Sequence, residues 1–476
     1  MASLYPLKDL PNKGQVWSWI SFDVANQSFT LLVNTVLFSR VFTEVVSPGP
    51  GADERWSILF AASMLLTVIA SPVAGAIADA KAWKREALLV TGVICAALTC
   101  ALSLAGPGAL WLAVLIYIPA NVCFNLGENF LASFLPELAR REDMGKVSGF
   151  SWACAYLAAL VLLGITAAGL IALNAGTDPA RWWPLFVFAG VWFFAFSVPT
   201  FLVLREKARP TGDRTNPVVA GFRRLADSAR HTARYRDLLT LLVASFFYGV
   251  GMTVIVSFAS ILTRDFGFTG VQSVKFIALV TISGVVGTLV PTFVQDRFGH
   301  RRTTVALLVV WVAAVLAFYV YTRPLGAGAP AASLPVWPLW LFGNLIGFGL
   351  GSLGSANRAF VSYLTPPERT AECFGLWGLV FKLAAVGTIP FAIVKERLGM
   401  PQSMLVLAGF MVAGLVITLF VDEKRGAAAA AGSAVPSTNH PRAEKSESSS
   451  SGDKEQQEQT VIARLVLTLF IRKSKK

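Results

Sequence analysis

Residues 58 to 78 read Ile58-LFAASMLLTVIASPVAGAI-Ala78, and this stretch decides the fold. A bilayer's hydrocarbon core is about 30 Å thick and takes roughly 20 helical residues to cross, which this run supplies. Its apolar residues are continuous rather than alternating with polar ones at period two, so it reads as a membrane-spanning helix and not as a barrel strand. Working outward, comparable runs recur between short polar breaks near 16–46, 56–78, 87–105, 109–135, 148–173, 183–204, 238–262, 274–295, 304–321, 336–361, 374–394 and 402–421. The sequence therefore predicts an all-α polytopic membrane protein with twelve transmembrane helices.

Bulk composition agrees. The 476 residues are 55% hydrophobic and only 14% charged, with mean hydropathy +0.60, outside the range of soluble globular chains. A net charge of +13 would point to nucleic acid in a soluble protein. Here Lys and Arg gather between apolar runs, the pattern that sets membrane orientation, so no nucleic-acid partner is expected. With a cytoplasmic N-terminus, the inner loops hold Lys81, Lys84, Arg85, Arg140, Arg141, Lys146, the basic stretch Arg205 to Arg236, Arg297, Arg301, Arg302 and Arg369. These outnumber Arg55, Arg181, Arg264, Arg323, Lys395 and Arg397 of the outer loops. An even number of crossings returns the C-terminus to the same side. The polar flank Lys8 to Gln15 leads into the first span with no small-residue cleavage site, so that helix is expected to insert and stay. Cys95, Cys100, Cys123, Cys154 and Cys373 show neither metal-ligand nor redox spacing and read as packing residues; no cofactor or metal is expected.

The longest interior break is basic and polar. It divides the chain into a six-helix half at 1–204, a cytoplasmic linker at 205–237 and a second six-helix half at 238–421, followed by a cytoplasmic tail at 422–476. A weak internal repeat agrees: Asp79, Lys84 and Arg85 after the second span match Asp296, Arg301 and Arg302 after the eighth. Asn129 before Leu135-Pro136-Glu137 is echoed more loosely by Asn357 before Pro366-Pro367-Glu368. Duplicated halves around a central site are a transporter architecture. In the tail, the composition of 422–460 cannot bury enough apolar surface to fold. The run Leu465 to Ile471, flanked by Arg464, Arg472, Lys473, Lys475 and Lys476, suits an anionic inner leaflet; a tail end without function fits equally.

The run Gly75-Ala-Ile-Ala-Asp79-Ala-Lys-Ala-Trp-Lys84-Arg85 resembles the signature between the second and third helices of the major facilitator superfamily. The resemblance implies two pseudo-symmetric halves latched by this aspartate and its basic neighbours, so Gly75, Asp79, Lys84, Arg85, Asp296, Arg301 and Arg302 are expected to form a conformational latch. Ala80 and Ala82 stand where that family usually has arginine and glycine, whereas Asp296-Arg297-Phe298-Gly299 keeps both. Three further stretches are similar to the vacuole-effluxer-like branch: Trp19 to Phe29, Asn129 to Gly149, and Asn357 to Lys382. Val24 departs from the tryptophan usual there. This resemblance implies small-solute export, amino acids being the best-attested class. It also implies a bacterial inner membrane, or a vacuolar membrane in a fungus, with both termini cytoplasmic.

Ionisable residues inside spans need a partner, a wet cavity or a function. On the first helix Asp23, Asn26, Gln27, Thr30 and Asn34 fall within one arc at 100° per residue, a polar stripe expected to face the central cavity. Asp23 is a candidate to take up a proton or capture an ammonium group; the alternative is that it only pairs or caps. On the fourth helix Asn121, Asn125, Glu128 and Asn129 share a face. Glu128 is the leading candidate for proton coupling while the asparagines bind solute; the competing reading is a hydrogen-bond cluster holding the bundle together. Arg358 and Lys382 lie in the tenth and eleventh helices. Lys382 could bind a substrate carboxylate or answer Glu128 or Asp23, and Arg358 could instead reach the headgroups. The series Gly343, Gly347, Gly349, Gly351 and Gly354 reads as close helix packing, since it has no Walker lysine. No nucleophile, base and metal set is visible, so the chain is not expected to be an enzyme.

Acid in one half and base in the other suits a zwitterion. The sequence thus predicts a proton-linked transporter of a small polar solute, an amino acid or similar zwitterion, leaning to efflux and working as a monomer in the lipid bilayer. The alternatives are a lipid or drug exporter and a non-transporting scaffold or sensor.

Overall fold

The computed structural model describes residues 12–432, leaving out 141–142, 208–215, 327–332 and 367–368, and gives the backbone alone at 145, 146, 292, 293, 296, 326, 371 and 432. Among the described residues all regular structure is helical, and twelve helices are long and apolar enough to cross a membrane. They are α1 (Lys13–Val46), α2 (Ala52–Lys81), α3 (Lys84–Leu104), α4 (Leu110–Ser133), α5 (Met144–Ala172), α6 (Pro179–Val203), α8 (Arg236–Asp265), α9 (Gly270–Phe298), α10 (His300–Gly326), α11 (Trp337–Leu364), α12 and α13 (Met400–Leu419). α12 runs Thr370–Leu383, tightens through one turn at Ala384–Gly387, and resumes as Thr388–Leu398. Two more helices lie outside the spans: α7 (Pro217–Ala233) and α14 (Glu423–Gly432). Both ends of the described chain lie on one side, called here the terminal face; the other is the far face.

α7 falls in the segment expected to be linker. Asn216 caps it by accepting the Val218 N–H at 2.9 Å, and Pro217 suits its first turn. α14 departs from the expectation for 422–460 at the start of that segment, Glu423–Gly432. Five consecutive alanines after Gly426 favour helix, and Arg425 holds the segment to Asp237 at the start of α8 at 2.7 Å. Glu423 then caps α10, accepting the backbone N–H groups of His300 at 3.0 Å and Arg301 at 3.1 Å. The rest of the tail, including Leu465 to Ile471, lies outside the described residues.

α1 also departs from expectation. It is an ordinary helix to Gln27, then widens into π-helical turns at Ser28–Leu37 and Phe42–Val46. Hydroxyls on this segment bond back to its own carbonyls: Thr35 to Thr30 at 3.1 Å, Ser39 to Thr35 at 3.4 Å and Thr43 to Ser39 at 3.1 Å. Such bonds compete with the helical ladder. The wider turn breaks the 100° periodicity, so the polar residues of α1 do not form one stripe.

Packing uses clustered aromatic rings and close-approach glycines. In the first half, aromatic rings fill the space near the far face: Phe38 stacks on Tyr117 at 5.1 Å and meets Trp56 edge-on at 5.9 Å, with Trp56 fully buried. In the second, glycines let α9 and α11 approach backbone to backbone. A Cβ on Gly351 would collide with the Gly284 carbonyl, and one on Gly347 would lie 2.5 Å from the Val280 oxygen, as the glycine series predicts.

Candidate functional site

The acidic side of the interface between halves comes from α1, α4 and α5. Glu128 sits on α4 a little over one turn before Ser133, about 8 Å inside the helix end at 1.5 Å per residue. One of its oxygens accepts a hydrogen bond from the Asn26 amide, and Asp23 accepts one from the Ser151 hydroxyl. Each intramembrane carboxylate is thus held by a neutral donor in its own half, leaving its charge for something across the interface.

The basic side comes from α11 and α12. The Arg358 guanidinium lies over the rings of Trp152 on α5, 5.2 Å from the centroid, and Trp377 on α12, at 5.8 Å. It therefore turns into the interface rather than out to headgroups. The Lys382 ammonium donates to Asn129 Oδ1 at 3.4 Å, and Asn129 in turn donates to Ser71 at 3.0 Å. Among the described residues none of the four charged groups closes an ion pair within 4.0 Å. Asp23 nonetheless lies within electrostatic reach of Arg358, and Glu128 within reach of Lys382 and Asp23.

Beside these groups a cavity of about 290 Å³ lies between α2 and α4 of one half and α8 and α12 of the other. It is lined by Met64, Asn125, Thr253, Trp377, Gly378, Phe381, Lys382 and Ala385. Gly378, Phe381, Lys382 and Ala385 recur at helical spacing and form one face of α12. The Trp377 indole N–H is buried without a hydrogen-bond partner among the described residues. A buried donor left unmet costs about 1–3 kcal/mol. Sequence reading missed Trp377, although the face of α12 that carries Lys382 would have led to its neighbourhood.

Of the residues expected to bind solute, Asn125, Asn129, Arg358 and Lys382 gather at this interface, with Asp23 and Asn26 behind them. Asn34 and Asn121 do not. Both are buried inside the first half, where Asn34 donates to Asn121 at 3.3 Å and accepts from Tyr117 at 2.8 Å, while Asn121 donates to Ser63 at 2.6 Å.

The expected latch residues are placed as follows. Asp79 pairs with Arg224 of α7 at 3.1 Å. Lys84 meets Glu137 at 3.5 Å. Arg85 staples α3 to the end of α6 through the carbonyls of Phe201 at 2.6 Å and Leu204 at 2.9 Å. Gly75 faces open space, Arg301 is tied by its backbone to Glu423, and Arg302 is exposed. The side chain of Asp296 lies outside the described residues. These contacts hold parts of one half, or a half and α7 or α14.

Charges that join the halves directly lie at the far face and were not anticipated. Buried Asp53 at the start of α2 pairs with Lys395 of α12 and, at 3.4 Å, with Arg264 of α8. Asp265 completes a square, 2.6 Å from Lys395 and 2.8 Å from Arg264. Glu396 caps α2, accepting the N–H groups of Gly51 at 3.1 Å and Asp53 at 2.8 Å. Arg40 of α1 reaches the Phe268 carbonyl at 3.0 Å, and Trp56 the Ser257 carbonyl at 2.9 Å. The far ends of the two halves are sewn together.

Comparison with known proteins places this geometry. A family profile described as "Vacuole effluxer Atg22 like" matches residues 56–145 and 141–431. The chain is 23% identical over 423 residues to an uncharacterized MFS-type transporter, YxiO, of Bacillus subtilis, covering 86% of this chain and 94% of that one. It is 23% identical over 430 residues to autophagy-related protein 22 of Pichia angusta, covering 77% and 75%. Among solved structures it is similar to the POT family transporter PepTSo, with TM-score 0.66, 13% identity and coverage of 87% and 98%. It is also similar to the nucleoside transporter NupG, with TM-score 0.63, 14% identity and coverage of 86% and 98%.

Proposed function

Because the chain belongs to the vacuole-effluxer-like family and is a transporter of the major facilitator class, not an enzyme, we propose that it moves a small zwitterion such as a free amino acid. In this reading a single chain carries the solute by proton-linked alternating access, with export favoured where the compartment being emptied is the acidic one, as in a vacuole. The carrying observation is the division of charge across the interface beside the cavity: Asp23 and Glu128 in one half, Arg358 and the cavity-lining Lys382 in the other. A cavity of about 290 Å³ lies just below the roughly 300–1,000 Å³ range of drug-sized sites, which supports a compact solute over an amphiphile.

The chemistry follows from competition for Lys382. An ionised Glu128 answers the lysine inside the protein. A protonated Glu128 releases it to bind the solute carboxylate, while Asp23 is free to hold the ammonium group. Proton and solute then enter the site together and leave it together when the opposite face opens. The closed far face supports a conformer open at the terminal face. The basic loops support a cytoplasmic placement of that face, in a bacterial inner membrane or, in a fungus, a vacuolar one.

Proteoliposome flux under an imposed pH gradient, with a panel of free amino acids, tests this reading. Wild-type protein should accelerate uptake of at least one amino acid when the gradient is applied. Glu128→Gln should keep exchange but lose that acceleration, and Lys382→Ala should lose both. Unchanged gradient-driven flux in Lys382→Ala, or flux of lysolipids but not amino acids, would overturn it.

A further inference from the structure

α7 has a surface that the transport site does not use. One face rests on the protein. Gly221 sits so close to α2 that a Cβ there would strike the Pro72 carbonyl, Arg224 pairs with Asp79, and Thr232 meets Cys373 of α12 at 3.9 Å. The helix therefore touches both halves. At 100° per residue the remaining circumference divides into two arcs. One is apolar and open: Val218 is 48% exposed, Val219 52% and Phe222 41%. The next carries Arg223 and Arg230, with Arg234 one residue past the helix end; all three are exposed, and Arg230 makes only a loose 3.7 Å contact with Asp227.

The depth of the helix identifies what covers this surface. The apolar run of α2 that crosses the hydrocarbon ends at Ala78, and Arg224 of α7 pairs with Asp79 just past that end. Gly221 touches Pro72, so α7 lies at the boundary between hydrocarbon and headgroups. An apolar arc flanked by arginines at that level is the pattern of a helix lying in the membrane interface. We propose that α7 is an interfacial anchor that binds anionic phospholipid: Val218, Val219 and Phe222 enter the acyl boundary while Arg223, Arg230 and Arg234 hold phosphate headgroups. Because α7 also touches α2 and α12, lipid charge at this surface bears on the contact between the halves.

Hydrogen exchange on the full-length protein in nanodiscs tests this, comparing phosphatidylcholine alone with phosphatidylcholine doped with phosphatidylglycerol. Amides of 217–233 should exchange more slowly with the anionic lipid, and added salt should reverse the effect. Each basic residue near an anionic surface is worth about fivefold in binding. The variant combining Arg223→Gln, Arg230→Gln and Arg234→Gln should therefore lose about a hundredfold of the lipid preference, leaving its exchange the same in both nanodiscs. All three positions are exposed, so the fold is not at risk. Phe222→Ser should speed exchange in either lipid. Exchange in the wild type that ignores lipid charge, or that slows only when a soluble protein is added, would overturn the proposal.

Discussion

Asp53→Asn isolates the charge network that closes the far face. In the native arrangement two cations, Lys395 and Arg264, share two carboxylates, Asp53 and Asp265. Lys395 and Asp53 are almost wholly buried. The amide removes one carboxylate but leaves the backbone of Asp53 free to keep its bond to Glu396. Stranding a buried charge altogether costs about 3–5 kcal/mol. Here Asp265 still serves both cations, so about half of that, roughly 2 kcal/mol, is lost from the closed arrangement. The opposite conformer of the proposed cycle has already broken these contacts and loses nothing. At 1.4 kcal/mol per factor of ten, its population should rise about 30-fold.

The assay is alkylation of Met64→Cys, in the central cavity, by an impermeant maleimide added from the far side. Cys95, Cys100, Cys123, Cys154 and Cys373 would first be replaced. Labelling should speed up about 30-fold in Asp53→Asn. Adding Lys395→Met, which removes the surplus cation, should bring the rate back towards the starting value. The reasoning is refuted if Asp53→Asn labels from the far side no faster than its parent while the same cysteine reacts normally from the terminal face.

Three further outcomes follow from local geometry. Ala82 ends α2 in the left-handed region at φ 52°, and relief of that strain less the added freedom of the unfolded chain should make Ala82→Gly more stable by about 0.5–1 kcal/mol, read as a higher unfolding temperature in detergent. Gly351→Ala pushes α11 off Gly284 and should destabilise by about 1–3 kcal/mol, whereas Gly375→Ala, with open space around it, should gain stability in the same assay. Glu423→Ala removes the acceptor for the His300 and Arg301 N–H groups, at a cost of about 1 kcal/mol; the first amides of α10 should exchange about fivefold faster.

The spans were legible because each is long and apolar and bounded by charge or by turn residues such as Gly106-Pro107-Gly108, and their ends moved by only a few residues. What periodicity could not convey is local backbone geometry: nothing in Ser28 to Val46 announces a π-helix until the hydroxyl-to-carbonyl bonds are seen. Asp23, Glu128, Arg358 and Lys382 stood out because charge in hydrocarbon is rare. Arg264 and Lys395 did not. At the ends of spans they read as markers of topology, yet their partner Asp53 lies more than two hundred residues from Arg264 and more than three hundred from Lys395. No spacing rule links such positions, and only the folded arrangement brings them together. Asn34 and Asn121 mislead in the opposite sense, since an asparagine turned to a neighbouring helix has the same sequence signature as one turned to a solute.

The two halves keep one set of devices in duplicate and another apart. The same separation in sequence divides Asp79 from Asp296, Ala82 from Gly299, Lys84 from Arg301 and Glu206 from Glu423. Two of these pairs do duplicated work. Ala82 and Gly299 both break the chain at a positive φ, 52° and 91°, and Glu206 and Glu423 both cap the third span of their half, through Arg85 N–H at 3.1 Å and His300 N–H at 3.0 Å. Asp23, Glu128, Arg358 and Lys382 follow no such rule, with both acids in one half and both bases in the other. Symmetric backbone devices let either half rock against its partner in the same way, as alternating access requires. Asymmetric charge gives the cavity between them a polarity that a dipolar solute meets in one orientation only. Mutations at the duplicated caps should accordingly shift stability, and mutations at the charges should shift binding.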